Sequence, residues 1–149
     1  VLALTGDKPE MNQIELHPFL PQQALVDFCW ENEILLTAYS PLGSPDSRAE
    51  RHKDDPTLLN NQVVKKIADK HQAGVGQVLI AWSIARSIAV IPKSINKDRI
   101  IDNLKAADLI LDQEDLSQLA AIGVAHRFVD GSFFTGPQSP YKLTDLWDS

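Results

Sequence analysis

The sequence predicts an α/β fold built on parallel strands, and three observations support this prediction. Short apolar segments with strand character occur at residues 11–16, 34–39 and 88–92. Segments with helical spacing of apolar residues alternate with them. Polar residues follow the end of each apolar segment. The alternation implies right-handed crossovers between parallel strands, as in a doubly wound sheet or in part of a (β/α)8 barrel.

Length, composition and charge exclude several classes of protein. With 149 residues and 44% hydrophobic content, the chain is expected to form a single domain over residues 1–149 with a buried core. The net charge of -6 argues against nucleic acid or an anionic membrane as a general partner. The sequence contains no secretory segment or membrane-spanning apolar run, so we expect a cytoplasmic protein. Because the chain begins with Val1, we expect it to be a fragment.

Two predicted strands and the helix between them occupy the first part of the chain. Pro21 begins a helix over residues 22–32. One face of this helix presents three apolar residues, Leu25, Phe28 and Cys29. Cys29 is the only cysteine, so it cannot form an internal disulfide, and it is expected in the core. The strand at residues 34–39 is uniformly apolar, and the polar residues 40–55 after it form a long loop that is a candidate for function.

The remaining elements follow the same alternation. Helices at residues 63–71 and 78–86 separate the second strand from the third. Asn96 begins the next helix, which is expected to direct four apolar residues inward, Ile100, Ile101, Leu104 and Ala107. Asp112 caps a last helix, and beyond residue 122 the chain is irregular and aromatic.

The positions of the polar residues favour a barrel over a doubly wound sheet. The nearest match to a dinucleotide-binding fingerprint, GVGQVL from Gly74, lacks its third glycine and lies between two helices, so we set it aside. In a barrel, ligands bind at the carboxyl ends of the strands. Gln13, residues 39–44, and Lys93 with Ser94 all lie at such ends.

The turn between the third strand and its helix, within AVIPKSINKDRIIDN, carries two cations and a hydroxyl group. Lys93 and Ser94 lie in the turn, and Arg99 lies in the first turn of the helix. A helix N-terminus offers unpaired N–H groups and a positive dipole end, so these residues suit a compact anion such as phosphate. The alternative is a solvated loop with ordinary surface charges.

Three longer motifs closely resemble the aldo-keto reductase family, in that family's order and spacing. They are NQIELHPFLPQ, TAYSPLGSPD and VIPKSINKDRIIDN. The resemblance runs from about Glu10 to the end of the chain. It implies strands six to eight of a (β/α)8 barrel with their helices and C-terminal loop, so the barrel is expected to be incomplete in this chain. It also implies reduction of aldehydes and ketones to alcohols by hydride transfer from NADPH.

The resemblance implies a role for the polar residues at the first two strand ends. Tyr39 would stack on the nicotinamide ring and Gln13 would bind its carboxamide, tasks that suit an aromatic face and a side-chain amide. The alternatives are a barrel-wall aromatic and a capping polar group. Asp46 would clasp Lys93 over the cofactor, and its alternative is a simple Ser-Pro-Asp turn. Three residues would lie along the pyrophosphate: Ser40, Leu42 and Ser44.

The basic turn resembles the family's pocket for the adenosine 2′-phosphate of NADPH. Cofactor-binding positions there would be Lys93, Ser94, Ile95, Asn96 and Arg99, with Asp102 and Asn103 facing the adenine. Charge-assisted hydrogen bonds contribute about 1.5–3 kcal/mol each, so two of them would favour NADPH over NADH by about two to four decades. The resemblance therefore implies a preference for the phosphorylated cofactor.

Three positions depart from the family's usual pattern. Asp102 stands where glutamate is common, which shortens the reach to the adenine. Ser87 replaces a frequent glycine at a helix end. Gly76 lies where helix formers are usual, and inside a helix glycine is about 1 kcal/mol less favourable than alanine.

The residues that carry out catalysis in this family have no counterpart in the chain. Catalysis needs a tyrosine proton donor, a lysine, an aspartate and a histidine, all from the first strands of the barrel. Of the two tyrosines here, Tyr39 is assigned to stacking and Tyr141 lies in the tail. We therefore expect the 149-residue chain to be inactive on its own. No metal site is expected, because the histidines are either structural or lack ligand spacing: His17, His71, His52 and His126.

The aromatic tail would form the wall of the substrate pocket. By resemblance, the contacts with a small carbonyl substrate would come from Phe133 and Phe134, and also from Trp147. The alternative is that these rings anchor the tail to the barrel.

Two functional hypotheses follow. In the first, the chain is the cofactor-binding part of an NADPH-dependent carbonyl reductase. In the second, it is a non-catalytic nucleotide-binding or regulatory remnant that assembles with another chain, or with itself, through its open sheet edges.

Overall fold

The computed structural model describes residues 6–45 and 56–147, and within these ranges three strands form one parallel sheet. The strands are β1 (Met11–Glu15), β2 (Leu35–Tyr39) and β3 (Ala89–Val90), in the order β1-β2-β3. The β1–β2 register aligns Met11 with Leu35 and Glu15 with Tyr39. Parallel neighbours in sequence order confirm the predicted crossovers.

The observed third strand is shorter than the predicted segment at residues 88–92. Only two residues pair as strand, and Ile91 continues the pairing by donating its amide to the carbonyl of Ala38 at 3.3 Å. Pro92 has no N–H group, so the ladder cannot extend beyond this point.

Five helices accompany the sheet in the described ranges. They are α1 (Gln23–Glu31), α2 (Gln62–Lys70), α3 (Val75–Ala85), α4 (Lys97–Lys105) and α5 (Gln113–Ala120). Helix α1 joins β1 to β2, α2 and α3 join β2 to β3, and the other two follow β3. Single turns of 3-10 helix occur at Leu58–Asn60, Ala106–Asp108, Ser132–Phe134 and Leu143–Asp145.

Local sequence explains where several helices begin and end. The side chain of Asn61 accepts hydrogen bonds from the amides of Val63 and Val64 at the start of α2. Asp112 caps α5 as predicted, and its carboxylate accepts the amide of Asp115 at 2.9 Å. Helix α3 ends with Ser87 in the left-handed region, at φ 56°.

The core lies between the helices and one face of the sheet. Ile14, Leu36 and Ala38 present this face, and Cys29 packs against it with 1% exposure, which confirms the predicted burial of the cysteine. Phe28, predicted on the same helical face, is instead 49% exposed. That prediction is wrong because the buried face of α1 is centred on Val26 and Cys29, which leaves the Phe28 position at its margin.

Helix α4 does not bury the apolar residues that its spacing predicts to face inward. No residue of α4 is buried, and Ile100, Ile101 and Leu104 are 51%, 41% and 77% exposed. Ala107, in the following 3-10 turn, is also exposed, whereas its neighbour Ala106 is buried. Helix α4 packs against α3, and β3 is the edge strand of the described sheet, so no further strand lies beside it to cover these side chains. The prediction that they face inward is therefore wrong for the described chain.

The opposite face of the sheet is open over part of its area among the described residues, where it presents apolar side chains, while Thr37 and Glu15 on the same face are buried. Met11 and Leu35 pair on this face, and Ile91 lies on it beyond β3. All three side chains are about half exposed. A sheet with one covered and one open apolar face is expected of an incomplete barrel. No helix in the described ranges is long and apolar enough to span a bilayer.

Candidate functional site

A pocket of about 1100 Å³ lies at the carboxyl ends of β2 and β3. Four segments line it: the turn after β2, the 3-10 turn at Leu58–Asn60, the turn between α2 and α3 with the start of α3, and the segment from the end of β3 into α4. The lining residues are Ser40, Pro41, Leu42, Ser44, Pro45, Leu59, Gly74, Gly76, Gln77, Ile91, Pro92, Lys93, Ser94, Ile95, Asn96, Arg99, Asp102 and Asn103. The structure thus brings most of the predicted cofactor-binding residues around one cavity. Their roles toward a cofactor stay predictions.

The N-terminus of α4 forms the basic wall of the pocket. The amide of Asn96 donates to Ser94 Oγ at 3.1 Å, and the amide of Arg99 donates to Asn96 Oδ1 at 3.0 Å. Asn96 is therefore the N-cap of α4, a role that the sequence analysis missed although asparagine before a helix is a known signal. Lys93 and Arg99 are exposed at this helix end, where the dipole adds to their positive charge.

The turn after β2 has a strained backbone. Ser40, Gly43 and Ser44 all have positive φ, at 49°, 77° and 46°. Ser44 Oγ and Ser40 Oγ lie 2.6 Å apart, and the amide of Gly43 donates to the carbonyl of Ser40 at 2.9 Å. Left-handed conformations of non-glycine residues cost about 1–3 kcal/mol and cluster at ligand-binding turns. The strain is consistent with a turn shaped to approach a ligand closely.

Gln13 and Tyr39 lie outside the pocket, on the open face of the sheet. Gln13 pairs in register with Thr37, and Tyr39 directly precedes the pocket residue Ser40. Burial, together with the negative charge of Glu15, raises the pKa of Tyr39, while Arg127 opposes this change. The phenol is therefore neutral at physiological pH, as a stacking role requires.

The predicted substrate-contacting rings also lie outside the pocket. Phe133 and Phe134 are about half exposed, with ring centroids 3.9 Å apart. Trp147 Nε1 donates to the carbonyl of Asp130 at 2.7 Å, and the Arg127 guanidinium lies 4.0 Å from the Trp147 ring centroid. Both contacts of Trp147 lie within the tail itself, so they do not test whether this ring anchors the tail to the barrel. Contact of these rings with a substrate stays a prediction. The predicted clasp residue Asp46 lies outside the described residues, as does His52.

The turn between α2 and α3 is a part of the pocket that the sequence analysis missed. Gly74 lies in this turn, and Gly76 and Gln77 follow in the first turn of α3. All three belong to the GVGQVL motif, which lacks the third glycine of a dinucleotide fingerprint. The amide of Gly74 donates to Gln77 Oε1 at 2.8 Å. A Cβ at Gly76 would meet only Leu42 Cδ2, at 3.8 Å. The two glycines of the motif are a signal for a turn that faces a ligand. The sequence alone does not show that this turn lies beside β3.

A buried carboxylate beside the pocket was also missed. The side chain of Glu15 is fully buried and accepts hydrogen bonds from His17 Nε2 at 2.8 Å and from the amides of Phe128 and Val129. Burial alone would raise the pKa of Glu15, but these hydrogen bonds hold it below its usual value. Burial lowers the pKa of His17, against the pull of Glu15. His17 is therefore a neutral donor to an ionised Glu15, in agreement with its predicted structural role.

Two classes of ligand-binding protein have a parallel α/β sheet with the pocket at the carboxyl ends of its strands: those with a (β/α)8 fold and those with a doubly wound fold. Comparison with known proteins decides between these two folds.

The aldo/keto reductase family model matches residues 3–124. The chain is 44% identical over 149 residues to Aldo/keto reductase slr0942 of Synechocystis sp., a match that covers 99% of this chain and 46% of that protein. It is 40% identical over 129 residues to Aldo-keto reductase family 1 member A1 of Mus musculus, covering 87% of this chain and 39% of that protein.

Solved structures agree with the sequence relatives. An aldo-keto reductase from a Medee basin deep-sea metagenome library, MGS-M4, matches with a TM-score of 0.73 and 36% identity, over 85% of this chain and 44% of that chain. An aldo/keto reductase from Brucella melitensis matches with a TM-score of 0.69 and 34% identity, over 80% of this chain and 41% of that chain. The chain belongs to the aldo/keto reductase family, and its sheet is an open part of that family's barrel. It spans less than half the length of the curated relatives it matches.

Proposed function

We propose that this chain forms the NADPH-binding part of an aldo-keto reductase that reduces aldehydes and ketones to alcohols. The observation that carries the proposal is the pocket at the N-terminus of α4, where Lys93, Ser94 and Arg99 converge. A pocket of about 1100 Å³ is slightly larger than the range of about 300–1000 Å³ that is usual for small-molecule sites, so it has room for a dinucleotide. The strained turn at Ser40–Ser44 supports the proposal, because it lets the backbone come close to a pyrophosphate.

The basic wall of the pocket supports the choice of NADPH over NADH. A 2′-phosphate carries negative charge that NADH lacks at this position, and Lys93 and Arg99 offer charged donors at a positive helix end. The overall charge of the chain is -6, so this local cluster acts against the general field. Asp102 lines the same pocket and would face the adenine, away from the phosphate.

The nicotinamide, which is the reactive end of the cofactor, would lie against the sheet face next to the pocket. The bound nicotinamide would supply the hydride. Tyr39 would present its ring face to fix which side of the nicotinamide faces the substrate, and Gln13 would bind the carboxamide. Both side chains lie on the open sheet face, one step from the Ser40 turn.

Reduction also needs a proton on the carbonyl oxygen, and these residues do not supply it. Tyr39 has a raised pKa and is assigned to stacking, while Tyr141 is 58% exposed in the tail. The 149-residue chain is therefore proposed to bind NADPH without reducing a carbonyl compound. The proton donor would come from a part of the barrel that this chain does not contain.

Cofactor titrations of two matched variants test the proposal. Arg99→Ala should weaken NADPH binding about 10- to 100-fold, because one charge-assisted hydrogen bond is lost, and should leave NADH binding nearly unchanged. Lys97→Ala removes the same charge from the same helix turn, but Lys97 does not line the pocket, so both affinities should stay within about twofold. Isothermal titration calorimetry measures all four affinities. Equal losses for NADPH and NADH in Arg99→Ala would remove the phosphate assignment.

The open apolar sheet face favours a second candidate function, a nucleotide-binding module that assembles with another chain. Met11 and Leu35 are paired neighbours on this face and are both about half exposed, and exposed apolar side chains of this kind can mark an association site. Sedimentation velocity of the chain, with Leu35→Lys as the disrupting variant, measures self-association. NADPH-dependent reduction of 4-nitrobenzaldehyde by any resulting assembly would contradict the non-catalytic module, whereas an assembly that Leu35→Lys disrupts and that binds NADPH without turnover would support it.

A further inference from the structure

Glu15 connects two parts of the chain that are far apart in sequence. It is the last residue of β1, and its carboxylate accepts the amides of Phe128 at 2.7 Å and Val129 at 2.9 Å. These donors lie 113 and 114 residues further along the chain. The third donor, His17 Nε2, binds the same oxygen as the Phe128 amide. A fully buried carboxylate is unfavourable unless hydrogen bonds compensate for its lost hydration, and here three donors do so.

The geometry requires a carboxylate at this position. All three groups are donors, and each of the two carboxylate oxygens accepts at least one of them. A glutamine has one acceptor oxygen, and its NH2 group would face one of the donors. Substitution of Glu15 by glutamine would thus leave at least one buried N–H group without an acceptor.

The segment held by Glu15 supports the strained turn of the pocket. The ring of Phe128 lies so close to Gly43 that a Cβ built there would be 2.8 Å from Phe128 Cε2. The same ring contacts the rings of His17 and His126, with centroids 5.0 and 4.7 Å away. The amide of His126 donates to the carbonyl of Phe19 at 2.9 Å, which ties the segment to the loop between β1 and α1.

The aromatic tail continues from this segment. Arg127 stacks on Trp147, and the carbonyl of Asp130 accepts the indole N–H of that tryptophan. On the sheet, Glu15 pairs in register with Tyr39, which leads directly into the turn at Ser40. One carboxylate therefore lies at the junction of the pocket turn, the tail and the strand that carries Gln13.

We propose that Glu15 is a positioning residue, which fixes residues 126–129 and through Phe128 sets the position of the Ser40–Ser44 turn for nucleotide binding. The inference rests on the proposed function for its ligand. The structural link itself can be measured without any nucleotide.

Amide hydrogen exchange of the nucleotide-free chain tests the link. In Glu15→Gln, exchange at Phe128, Val129 and Gly43 should increase at least tenfold, and by a larger factor than at the core helix amides of Val26 and Cys29, which report any loss of global stability. Asp115→Asn is the matched control, because it makes the same chemical change at another buried carboxylate, in α5. It should leave exchange at Phe128, Val129 and Gly43 unchanged. Wild-type exchange at these three amides in Glu15→Gln would overturn the proposal.

Phe128→Leu tests the contact between Phe128 and the pocket turn separately from the hydrogen bonds between Glu15 and residues 128–129. It also replaces Glu15→Gln as the test if that variant does not fold. It removes the ring below Gly43 but keeps both backbone donors to Glu15. Exchange should increase at Gly43 and stay low at Val129. Unchanged exchange at Gly43 would show that the ring does not support the turn, and would overturn the proposal.

Measurements of NADPH affinity test whether the contact between Glu15 and the pocket turn matters for the proposed function. Glu15→Gln should weaken NADPH binding at least fivefold, Glu15→Asp should recover part of the loss, and Asp115→Asn should bind like the wild type. Equal weakening in Glu15→Gln and Asp115→Asn would assign the effect to general instability and overturn the positioning role. Failure of the wild type to bind NADPH would refute the proposed function instead, and the exchange results would still decide the structural link.

Discussion

The ring of Phe128 lies directly against the backbone of Gly43, where a Cβ atom would come within 2.8 Å of Phe128 Cε2 and 3.0 Å of Leu58 Cδ1. Gly43 also has a φ of 77°, which side-chain-bearing residues rarely adopt. Two independent constraints therefore require glycine in the turn after β2 that lines the pocket.

Gly43→Ala is expected to destabilise the chain by about 2–4 kcal/mol, because backbone strain and overpacking against Phe128 add together. It should also weaken NADPH binding, since the turn must shift. Urea denaturation and calorimetric titration measure the two effects.

Gly76→Ala is the matched control on another wall of the same pocket. Gly76 lies in the first turn of α3, and its added methyl group would meet only Leu42 Cδ2 at an ordinary distance of 3.8 Å. It should stabilise the chain by up to about 1 kcal/mol through helix propensity. Similar stability losses in both variants would contradict the explanation given for Gly43.

Ser87→Gly is expected to stabilise the chain by about 0.5–1 kcal/mol. Ser87 follows the end of α3 with φ 56°, in a turn closed by hydrogen bonds from Ser87 N to Ile84 O and from Ile88 N to Ser83 O. Glycine adopts this left-handed conformation without steric cost. Ser117→Gly, the same change inside α5, should destabilise by about 0.5 kcal/mol. Thermal unfolding of both variants would reveal the opposite signs, and a loss of stability in Ser87→Gly would contradict the explanation.

The free energy of unfolding is expected to fall between pH 7.5 and 5.5 because of His17. Burial holds the pKa of His17 below its usual 6.5, so the unfolded chain takes up a proton that the folded chain does not. Its contribution to stability is thus complete above pH 6.5 and decreases below it, by at most about 1.4 kcal/mol per pH unit. The contribution of Glu15, whose pKa is lowered, decreases only below its usual 4.5. Urea denaturation at both pH values should show a smaller difference for His17→Asn than for the wild type; equal differences would refute the assignment.

Asp115→Asn is expected to destabilise the chain by about 1–3 kcal/mol at neutral pH. Its carboxylate is buried, accepts hydrogen bonds from Lys70 Nζ at 2.8 Å and pairs with His71 Nε2 at 2.6 Å. Burial opposes ionisation, but these partners lower the pKa of Asp115 to about 2. The contribution is thus present above pH 3.8 and is lost as the pH falls toward 2. Asp69→Asn, on the exposed surface of α2, should change stability by less than about 0.5 kcal/mol. A neutral effect of Asp115→Asn in urea denaturation would show that this contact does not stabilise the fold.

Features that depend on a few neighbouring residues could be predicted from the sequence. The positions of the strands along the chain, the N-cap at Asp112, the burial of Cys29 and the basic turn from Lys93 to Arg99 all belong to this group. Each depends on hydrophobic spacing or on a short motif, whose effect on the backbone is local. The resemblance to a known family added the barrel, and the roles that it implies for Gln13 and Tyr39 stay predictions.

The sequence by itself determined which segments become strands and helices and which strand ends carry polar residues, because backbone preference and residue spacing act within a few residues. Only the tertiary structure decided that the Gly74–Gln77 turn shares a pocket with Lys93, that Glu15 holds the amide of Phe128, and that α4 leaves Ile100 and Leu104 exposed. The physical reason is that spacing identifies an apolar or polar face but not its neighbour. That neighbour is set by crossover packing of segments up to 114 residues apart.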